Sequence, residues 1–190
     1  MSTFRIIVQP ILAAVVLAVA VRSALIGIYA IPTGSMQPTL QIGDRILVTR
    51  YFWQSAQPGD VIVFRSPNEE ELLVKRIIAV GGDLIEARNG HLIVGGHAVP
   101  EPYLPSDTMT IGVSPQRVPP ACYFVLGDNR LDSLDSRAWG VVPRNLVVGH
   151  ARLVLWSATS GVEPQANATT SGPVPSTRVI RTERLFKPIR

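Results

Sequence analysis

Cysteine is almost absent from this chain of 190 residues: Cys122 is the only one. A single cysteine excludes a disulfide within the chain, so a hydrophobic core has to hold the fold together. The three histidines, His91, His97 and His150, fit no zinc-ligand spacing. Without a cysteine pair or a histidine cluster, the sequence predicts no metal and no cofactor, and nothing in it indicates histidine-based catalysis.

An excess of basic residues is also missing from most of the chain. The formal net charge is +4, and residues 178–190 alone account for it, with five basic residues against Glu183. This distribution excludes a nucleic-acid-binding surface, which needs basic residues spread over a face of the domain. A basic segment near a membrane can lie on anionic lipid, and a solvated final segment is the alternative.

One long apolar run stands near the N-terminus. Residues 6–31 contain only Gln9, Arg22 and Ser23 as polar side chains. About 20 apolar residues cross a bilayer as a helix, so residues 6–27 are predicted to be a transmembrane anchor after a short cytoplasmic tail, residues 1–5. A secretory signal peptide, with a small-residue site at Ala18–Ala20, is the alternative. In either case the rest of the chain is expected beyond the membrane.

Short runs rich in branched and aromatic residues follow, separated by glycine, proline, asparagine and aspartate. This pattern is typical of β-strands, and Asn89-Gly90 indicates a hairpin turn. Residues 28–156 are therefore predicted to form a mainly β domain, a coiled antiparallel sheet or barrel-like fold. Residues 157–177 are rich in serine, threonine, proline and glycine and are predicted to be a linker. The basic segment 178–190 completes the chain.

Three short stretches could carry chemistry. The first is "PTGSMQPTL", residues 32–40, where Ser35 stands in a glycine- and proline-rich corner just past the apolar run. The second is Lys75 in "ELLVKRIIAV", one of two lysines in the chain. A lysine buried on a strand can lose its proton and act as a general base, which an arginine cannot do. The ordinary alternatives are a turn at Ser35 and a solvent-facing side chain at Lys75.

The third stretch is "GDNRLDSLDSRAWG", residues 127–140. Its alternating acidic and basic residues allow charge-assisted pairs that would fix a loop. It lacks the glycine and the bidentate glutamate of a calcium-binding EF-hand loop, so we interpret it as a structural loop. These pairs would form among Asp128, Arg130, Asp135 and Arg137.

In this order after an N-terminal anchor, the stretches resemble the type I signal peptidases, the bacterial leader peptidases. Four blocks carry the resemblance: "IPTGSMQPTLQIGDRILV", "PGDVIVF", "VKRIIAVGGD" and "GDNRLDSLDSRAWGVVP", with "GHAVPEPYL" as a weaker match. They cover residues 31–156. The resemblance implies a serine endopeptidase that removes signal peptides from exported precursors by a Ser–Lys dyad, cleaving after small residues in an A-x-A pattern.

The resemblance also implies a role for each site residue. Ser35 would be the nucleophile and Lys75 the general base, and the backbone N–H of Ser35 with the hydroxyl of Thr33 would hold the oxyanion. Ser133 would orient the lysine amine, and the loop would be supported by Asp128, Arg130, Asp135 and Arg137. The pockets for small substrate side chains would be lined by Ile31, Met36, Leu40 and Val74. Threonine at position 33 replaces the serine common in the family.

The expected location is the bacterial plasma membrane, with one span and the catalytic domain on the extracytoplasmic side. The expected partners are precursor proteins and membrane lipid. Two alternatives remain open: a specialised processing peptidase with the same dyad, of the conjugal-transfer or organelle type, and a membrane-tethered β module that binds without cutting. Turnover of a precursor distinguishes the second from an enzyme.

Overall fold

The computed structural model describes residues 8–17, 25–50, 56–161 and 177–189. The predicted anchor falls only partly within these ranges: residues 8–17 are helical (α1), and residues 6, 7 and 18–24 lie outside them. No helix in the described part of the chain has both the length and the apolar character to cross a bilayer.

Thirteen strands make up most of the regular secondary structure of the described chain. In chain order they are β1 (Ile26–Ala30), β2 (Asp44–Thr49), β3 (Val61–Arg65), β4 (Leu72–Val80), β5 (Leu84–Arg88), β6 (His91–Val94), β7 (His97–Ala98), β8 (Gln116–Arg117), β9 (Cys122–Leu126), β10 (Val142–Pro143), β11 (Val147–Gly161), β12 (Thr177–Ile180) and β13 (Lys187–Pro188). The short helix α2 (Ser136–Trp139) and two 3-10 turns, Arg144–Leu146 and Thr182–Arg184, complete the list.

The strands form two antiparallel sheets. The large sheet has the order β1-β2-β11-β3-β4-β9-β10, with β12 and β13 also paired to β11, and the small sheet has the order β7-β6-β5-β8. The mainly β, antiparallel prediction is therefore confirmed. The described strands do not close into a barrel, because β1 and β10 end the large sheet without pairing to each other.

Local sequence explains several of these elements. The turn between β5 and β6 has positive φ at both Asn89 (52°) and Gly90 (82°), the type I′ geometry that an Asn-Gly pair favours. Branched apolar residues fill β3 and β4, whose side chains are mostly buried on both faces. A strand buried on both faces has a continuous run of apolar residues, whereas a strand buried on one face alternates apolar and polar residues.

Two predicted boundaries differ from the structure. Strand β1 begins at Ile26, inside the range predicted for the anchor. Residues 157–161, predicted as linker, continue the 15-residue strand β11, because β11 keeps partners on β2 and β12 there. Residues 162–176 of the predicted linker lie outside the described residues.

The buried apolar residues form three clusters, one of which lies below the loop that carries Ser35. That cluster contains Ile31, Met36, Leu40, Ile46, Val48, Val61, Val63, Ala151 and Val154. Burial of side chains of this size contributes roughly 1.5–3 kcal/mol each. The loop after β1 is thus fixed on the core by its own apolar residues.

Candidate active site

Ser35 lies on a closed loop between β1 and β2, residues 31–44, which we call the Ser35 loop. Backbone hydrogen bonds join its two ends: Ile31 N donates to Asp44 O at 2.9 Å and Gly43 N donates to Ile31 O at 2.9 Å. Within the loop, Leu40 N donates to Met36 O at 2.8 Å. The flanking strands and the buried side chain of Met36, 1% exposed, therefore hold the half-buried Ser35 in a fixed position.

Lys75 lies in the middle of β4 and reaches the Ser35 loop. Its side chain is buried, with 3% of its surface exposed, and its Nζ donates a hydrogen bond of 2.7 Å to Ser35 Oγ. Strand β3 fixes this part of β4 through the pairing of Lys75 with Ile62. The two residues are 40 positions apart in the chain and in direct contact in the fold.

The surroundings of Lys75 favour its neutral form. Burial lowers the pKa of Lys75 from 10.5 to about 8, because desolvation penalises the ammonium. The Asp135 carboxylate raises this pKa in part, and the Arg137 guanidinium lowers it further. With a pKa near 8, about a tenth of the amine is neutral at pH 7, far more than for a lysine in water.

Thr33 and Ser35 lie side by side at the mouth of the site. Their hydroxyl oxygens are 3.4 Å apart, longer than a strong O–H···O hydrogen bond. The hydroxyl of Thr33 is exposed and is close enough to contact a group bound at Ser35. This pair can therefore offer a hydrogen-bond donor next to the nucleophilic oxygen.

The loop after β9 contains one of the predicted Asp–Arg pairs. Asp135 caps the N-terminus of α2 and accepts hydrogen bonds of 2.8 Å from both Nε and Nη2 of Arg137. The backbone N–H of Gly127 also donates to it, at 3.0 Å. Burial alone would raise the pKa of Asp135, but the bonds from Arg137 and Gly127 hold the pKa below its ordinary value.

Asp128 and Arg130 pair with residues that the sequence analysis did not select. Asp128 binds Arg76, the residue next to Lys75, through bonds of 2.9 and 2.7 Å. It also accepts a 2.5 Å bond from Thr39 on the Ser35 loop. Arg130 pairs with Glu101. The predicted pairing within the loop is thus wrong for these two residues, because their partners lie on distant elements.

Tyr103 and Asn129 complete this polar network. The Tyr103 hydroxyl donates to Glu101 at 2.8 Å, and the Arg76 guanidinium lies 3.7 Å above the Tyr103 ring. Asn129 N donates to Ser35 O at 3.0 Å. Glu101 and Tyr103 both lie in "GHAVPEPYL", the weaker of the sequence matches, which was the available sign of their role.

Ser133 is near the site but does not bind Lys75. Its Oγ is buried and has no hydrogen-bond partner among the described residues, so the predicted bond to the lysine amine is not formed in this structure. Its side chain packs on Gly127, where an added Cβ would lie 2.1 Å from Ser133 Oγ and 2.5 Å from Ser35 O. Glycine is therefore required at position 127 by close packing of these two serines.

A cavity of about 360 Å³ opens at Ser35 and Lys75. Its walls include Thr33, Ile31, Met36 and Val74, together with the end of β1 and the first half of β4. Leu40, predicted as a pocket residue, does not line it. Leu40 is fully buried in the core below, so its side chain has no surface at the opening.

Two strand edges face this cavity without a partner among the described strands. Strand β9 pairs with β4 only from Arg76 to Val80, which leaves residues 72–75 paired on one side, to β3. Strand β1 ends the large sheet and pairs only with β2. Extended backbone between these edges could form strand-like hydrogen bonds with either wall.

Among the described residues, no group of three or more His, Cys, Asp or Glu side chains could hold a metal ion. Cys122 is a free, half-buried cysteine at the start of β9. The polar groups at Ser35 are thus a hydroxyl pair, an amine and backbone amides, which together can perform acyl transfer.

Known proteins are similar in sequence to this chain over the region that contains Ser35, Lys75 and the cavity. The family described as signal peptidase, peptidase S26, matches residues 4–156. A signal peptidase I of Leptolyngbya laminosa is 34% identical over 152 residues, 75% of this chain and 74% of that protein. A signal peptidase I of Bacillus amyloliquefaciens is 36% identical over 160 residues, 78% of this chain and 85% of that protein.

A crystal structure of a signal peptidase I from Enterococcus faecalis is 30% identical, with a TM-score of 0.45 over 51% of this chain and 97% of the other. The family predicted from the four sequence blocks is confirmed by the match to residues 4–156 and by the sequence relatives from Leptolyngbya laminosa and Bacillus amyloliquefaciens. The chain therefore belongs to the signal peptidase family, peptidase S26, and is a serine endopeptidase that removes signal peptides from exported precursors.

Proposed function

We propose that Ser35 and Lys75 perform the cleavage, with Ser35 as nucleophile and Lys75 as general base. The observation that carries the proposal is the 2.7 Å hydrogen bond between Lys75 Nζ and Ser35 Oγ. A nucleophile and its base have to lie within about 2.6–3.2 Å for proton transfer. Burial of Lys75 supplies the neutral amine that this role requires.

The reaction follows from this pair. Neutral Lys75 accepts the proton of Ser35 Oγ as the oxygen attacks the scissile carbonyl, forming a tetrahedral intermediate. The resulting ammonium returns a proton to the leaving amine, and the signal peptide stays bound to Ser35 as an ester. Lys75 then takes a proton from the water molecule that attacks the ester, and its ammonium returns that proton to Ser35 Oγ as the bond between Oγ and the acyl carbon breaks and the carboxylate leaves. Each proton passes through the same amine, so no histidine is needed.

The negative charge of the tetrahedral intermediate is stabilised at the mouth of the site. In this proposal the backbone N–H of Ser35 and the hydroxyl of Thr33 donate to the oxyanion. The 3.4 Å separation of the Thr33 and Ser35 hydroxyls supports the role, because it leaves both oxygens near one bound carbonyl. Removing one such donor typically costs 10²- to 10³-fold in kcat.

The substrate binds as an extended strand between β1 and the first half of β4. The unpaired edges on both sides of the cavity support this arrangement, since strand addition needs free backbone donors and acceptors. Ile31, Met36 and Val74 make the cavity wall apolar. We propose that they favour the small side chains of an A-x-A sequence at the end of a signal peptide.

Residues 6–27 are proposed to anchor the enzyme in the bacterial plasma membrane, with the catalytic domain, residues 28–156, on the extracytoplasmic side. An anchor keeps enzyme and membrane-inserted precursor in one plane, which raises their effective concentration. N-terminal sequencing of protein purified from membranes should find residues 1–20 present. A mature start near Val21 would favour the cleaved signal peptide instead.

Turnover of a signal-peptide-bearing precursor tests the proposed function. Ser35→Ala should abolish cleavage, because no other group replaces the attacking oxygen. Ser114→Ala is the matched control: Ser114 is exposed and lies outside the cavity, so this variant should cleave normally. Circular dichroism should show both variants folded. Cleavage by folded Ser35→Ala at the wild-type rate would refute the assignment.

A specialised processing peptidase would share this dyad and differ in its substrates. A panel of precursors with different signal peptides distinguishes it from a general signal peptidase, because a specialised enzyme would process few of them.

A further inference from the structure

We propose that the C-terminal segment, residues 177–189, is a positioning element of the active site that holds the Ser35 loop through the Arg184–Asp44 ion pair. The proposal rests on the proposed role of Ser35. The segment lies outside the region that matches the family, which ends at residue 156. Its basic residues were expected to lie on lipid or in solvent, and the structure gives one of them a buried partner.

The C-terminal segment returns along the edge of β11. Strand β12 pairs with β11 from Ala158 to Gly161, and β13 pairs with Leu153 and Val154 of the same strand. Ile189 packs against the apolar cluster that contains Met36 and Leu40. The segment thus contacts the core directly below the Ser35 loop.

Arg184 binds the end of the Ser35 loop. Its guanidinium makes a two-pronged contact with Asp44, through Nε to Oδ1 at 3.0 Å and Nη2 to Oδ2. Nη2 also donates to the backbone carbonyl of Thr39 at 2.9 Å. Arg184 is 4% exposed and Asp44 is fully buried. A buried pair of this geometry fixes both partners, since neither charge can be left alone without a large desolvation cost.

Asp44 transmits this restraint to both sides of Ser35. Its backbone carbonyl accepts from Ile31, four residues before Ser35, and its carboxylate accepts from the N–H of Gln41 at 2.9 Å. Arg181 of the same segment donates to the side chain of Gln41 and to the carbonyl of Ile42. The C-terminal segment therefore contacts the loop at four residues, 39, 41, 42 and 44.

A second connection leads from this contact to the strand of Lys75. Thr39, whose carbonyl accepts from Arg184, donates its own hydroxyl to Asp128. Asp128 binds Arg76, the neighbour of Lys75. The C-terminal segment is thus linked to the elements that carry both proposed catalytic residues, and loss of Arg184 should change their relative position.

Kinetics of Arg184→Met on a signal-peptide substrate test the proposal. A misplaced nucleophile should lower kcat by roughly 10- to 100-fold, with KM within about twofold of the wild type, because Arg184 does not line the cavity. Arg184→Lys should recover part of kcat, since it keeps the charge but not the two-pronged contact. Combining Arg184→Met with Asp44→Asn should cost less than the sum of the two single losses.

Leu92→Ala is the control for loss of stability alone. Leu92 is fully buried in the cluster packed on the small sheet, so its truncation should lower Tm and leave kcat unchanged. If Arg184→Met does not fold, Arg184→Lys and Arg181→Ala carry the test through the same kcat and KM measurements. A kcat within about threefold of wild type in folded Arg184→Met, or in Arg181→Ala where Arg184→Met does not fold, overturns the proposal, as does an equal loss of kcat in Leu92→Ala. Neither result affects Ser35→Ala, which tests the nucleophile itself.

Discussion

Arg76 and Asp128 form a buried ion pair in which two nitrogens of the guanidinium contact two oxygens of the carboxylate, at 2.9 and 2.7 Å. Their side chains are 1% and 0% exposed. The pair joins the strand that carries Lys75 to the loop after β9, and Thr39 connects the same carboxylate to the Ser35 loop. The three chain segments that build the candidate site therefore meet at Asp128.

Replacing Asp128 by Asn should destabilise the domain strongly. The substitution leaves the Arg76 charge buried without a carboxylate, and breaking a buried pair in this way costs about 3–5 kcal/mol. Urea denaturation measures the change in the free energy of unfolding. Glu86→Gln is the matched control: it breaks the exposed pair with Arg88, whose side chain is 66% exposed, and should cost less than about 1 kcal/mol. If Asp128→Asn and Glu86→Gln lowered the free energy of unfolding equally, burial of the ion pair would not determine the cost of breaking it.

Acid should weaken the loop that Asp135 holds. Burial raises the pKa of Asp135, but the bonds from Arg137 and Gly127 lower it below its ordinary value of 3.8, so the ionised form contributes stability above about pH 4. This contribution is lost as the pH falls through the lowered pKa. The free energy of unfolding of the wild type should therefore fall below about pH 4 more steeply than that of Asp135→Asn, which has no carboxylate to protonate. If the free energy of unfolding fell equally with pH in the wild type and in Asp135→Asn, the Asp135 carboxylate would not be the group that acid protonates.

Adding a methyl group at Gly127 should disturb Ser35 directly. The new Cβ would meet Ser133 Oγ at 2.1 Å and Ser35 O at 2.5 Å, and the backbone oxygen cannot move without shifting the nucleophile. We expect Gly127→Ala to lower kcat by about 100-fold. Gly34→Ala makes a useful comparison, because its Cβ would touch only the side chain of Gln37, at 3.5 Å. A larger loss in Gly34→Ala than in Gly127→Ala would argue against the packing explanation.

Enlarging the cavity should relax the preference for small residues. The wild type should not process a precursor with Phe immediately before the cleavage site, because Ile31 and Met36 are rigid parts of the buried core. Ile31→Ala removes three methyl(ene) groups from the wall and should process that precursor measurably. Leu92 is buried in another cluster and does not line the cavity, so Leu92→Ala should not process the Phe precursor. Rapid cleavage of the Phe precursor by the wild type would show that Ile31 does not limit the pocket.

The sequence predicted the strands well where local patterns determine them. Apolar runs located β3, β4, β9 and β11, and Asn89-Gly90 located the hairpin turn, because burial and turn geometry depend on adjacent residues. The same holds for Asp135 and Arg137, which pair across two positions. The residues themselves singled out Ser35 and Lys75, and the family resemblance gave them their roles. The structure brings the two side chains into contact, and their catalytic roles are proposals.

Pairs between distant segments could not be predicted from the sequence. Arg76 and Asp128 are 52 positions apart, and Arg184 and Asp44 are 140 apart. Nothing in the periodicity near either partner indicates the other, since such contacts depend on how the sheets are assembled. The same reason explains Leu40, which looked like a pocket residue beside Met36 and is turned into the core by the fold of the loop.

The pH dependence of kcat/KM, measured for the wild type and for Lys75→Arg, tests the central claim most directly. Only the neutral amine of Lys75 can accept the Ser35 proton, so wild-type kcat/KM should rise with pH and level off above the pKa of about 8. Lys75→Arg should be folded by circular dichroism and inactive at every pH, because its guanidinium stays protonated. A wild-type profile that is flat between pH 6 and about 9, or turnover by Lys75→Arg near the wild-type rate, would contradict the Ser35–Lys75 mechanism.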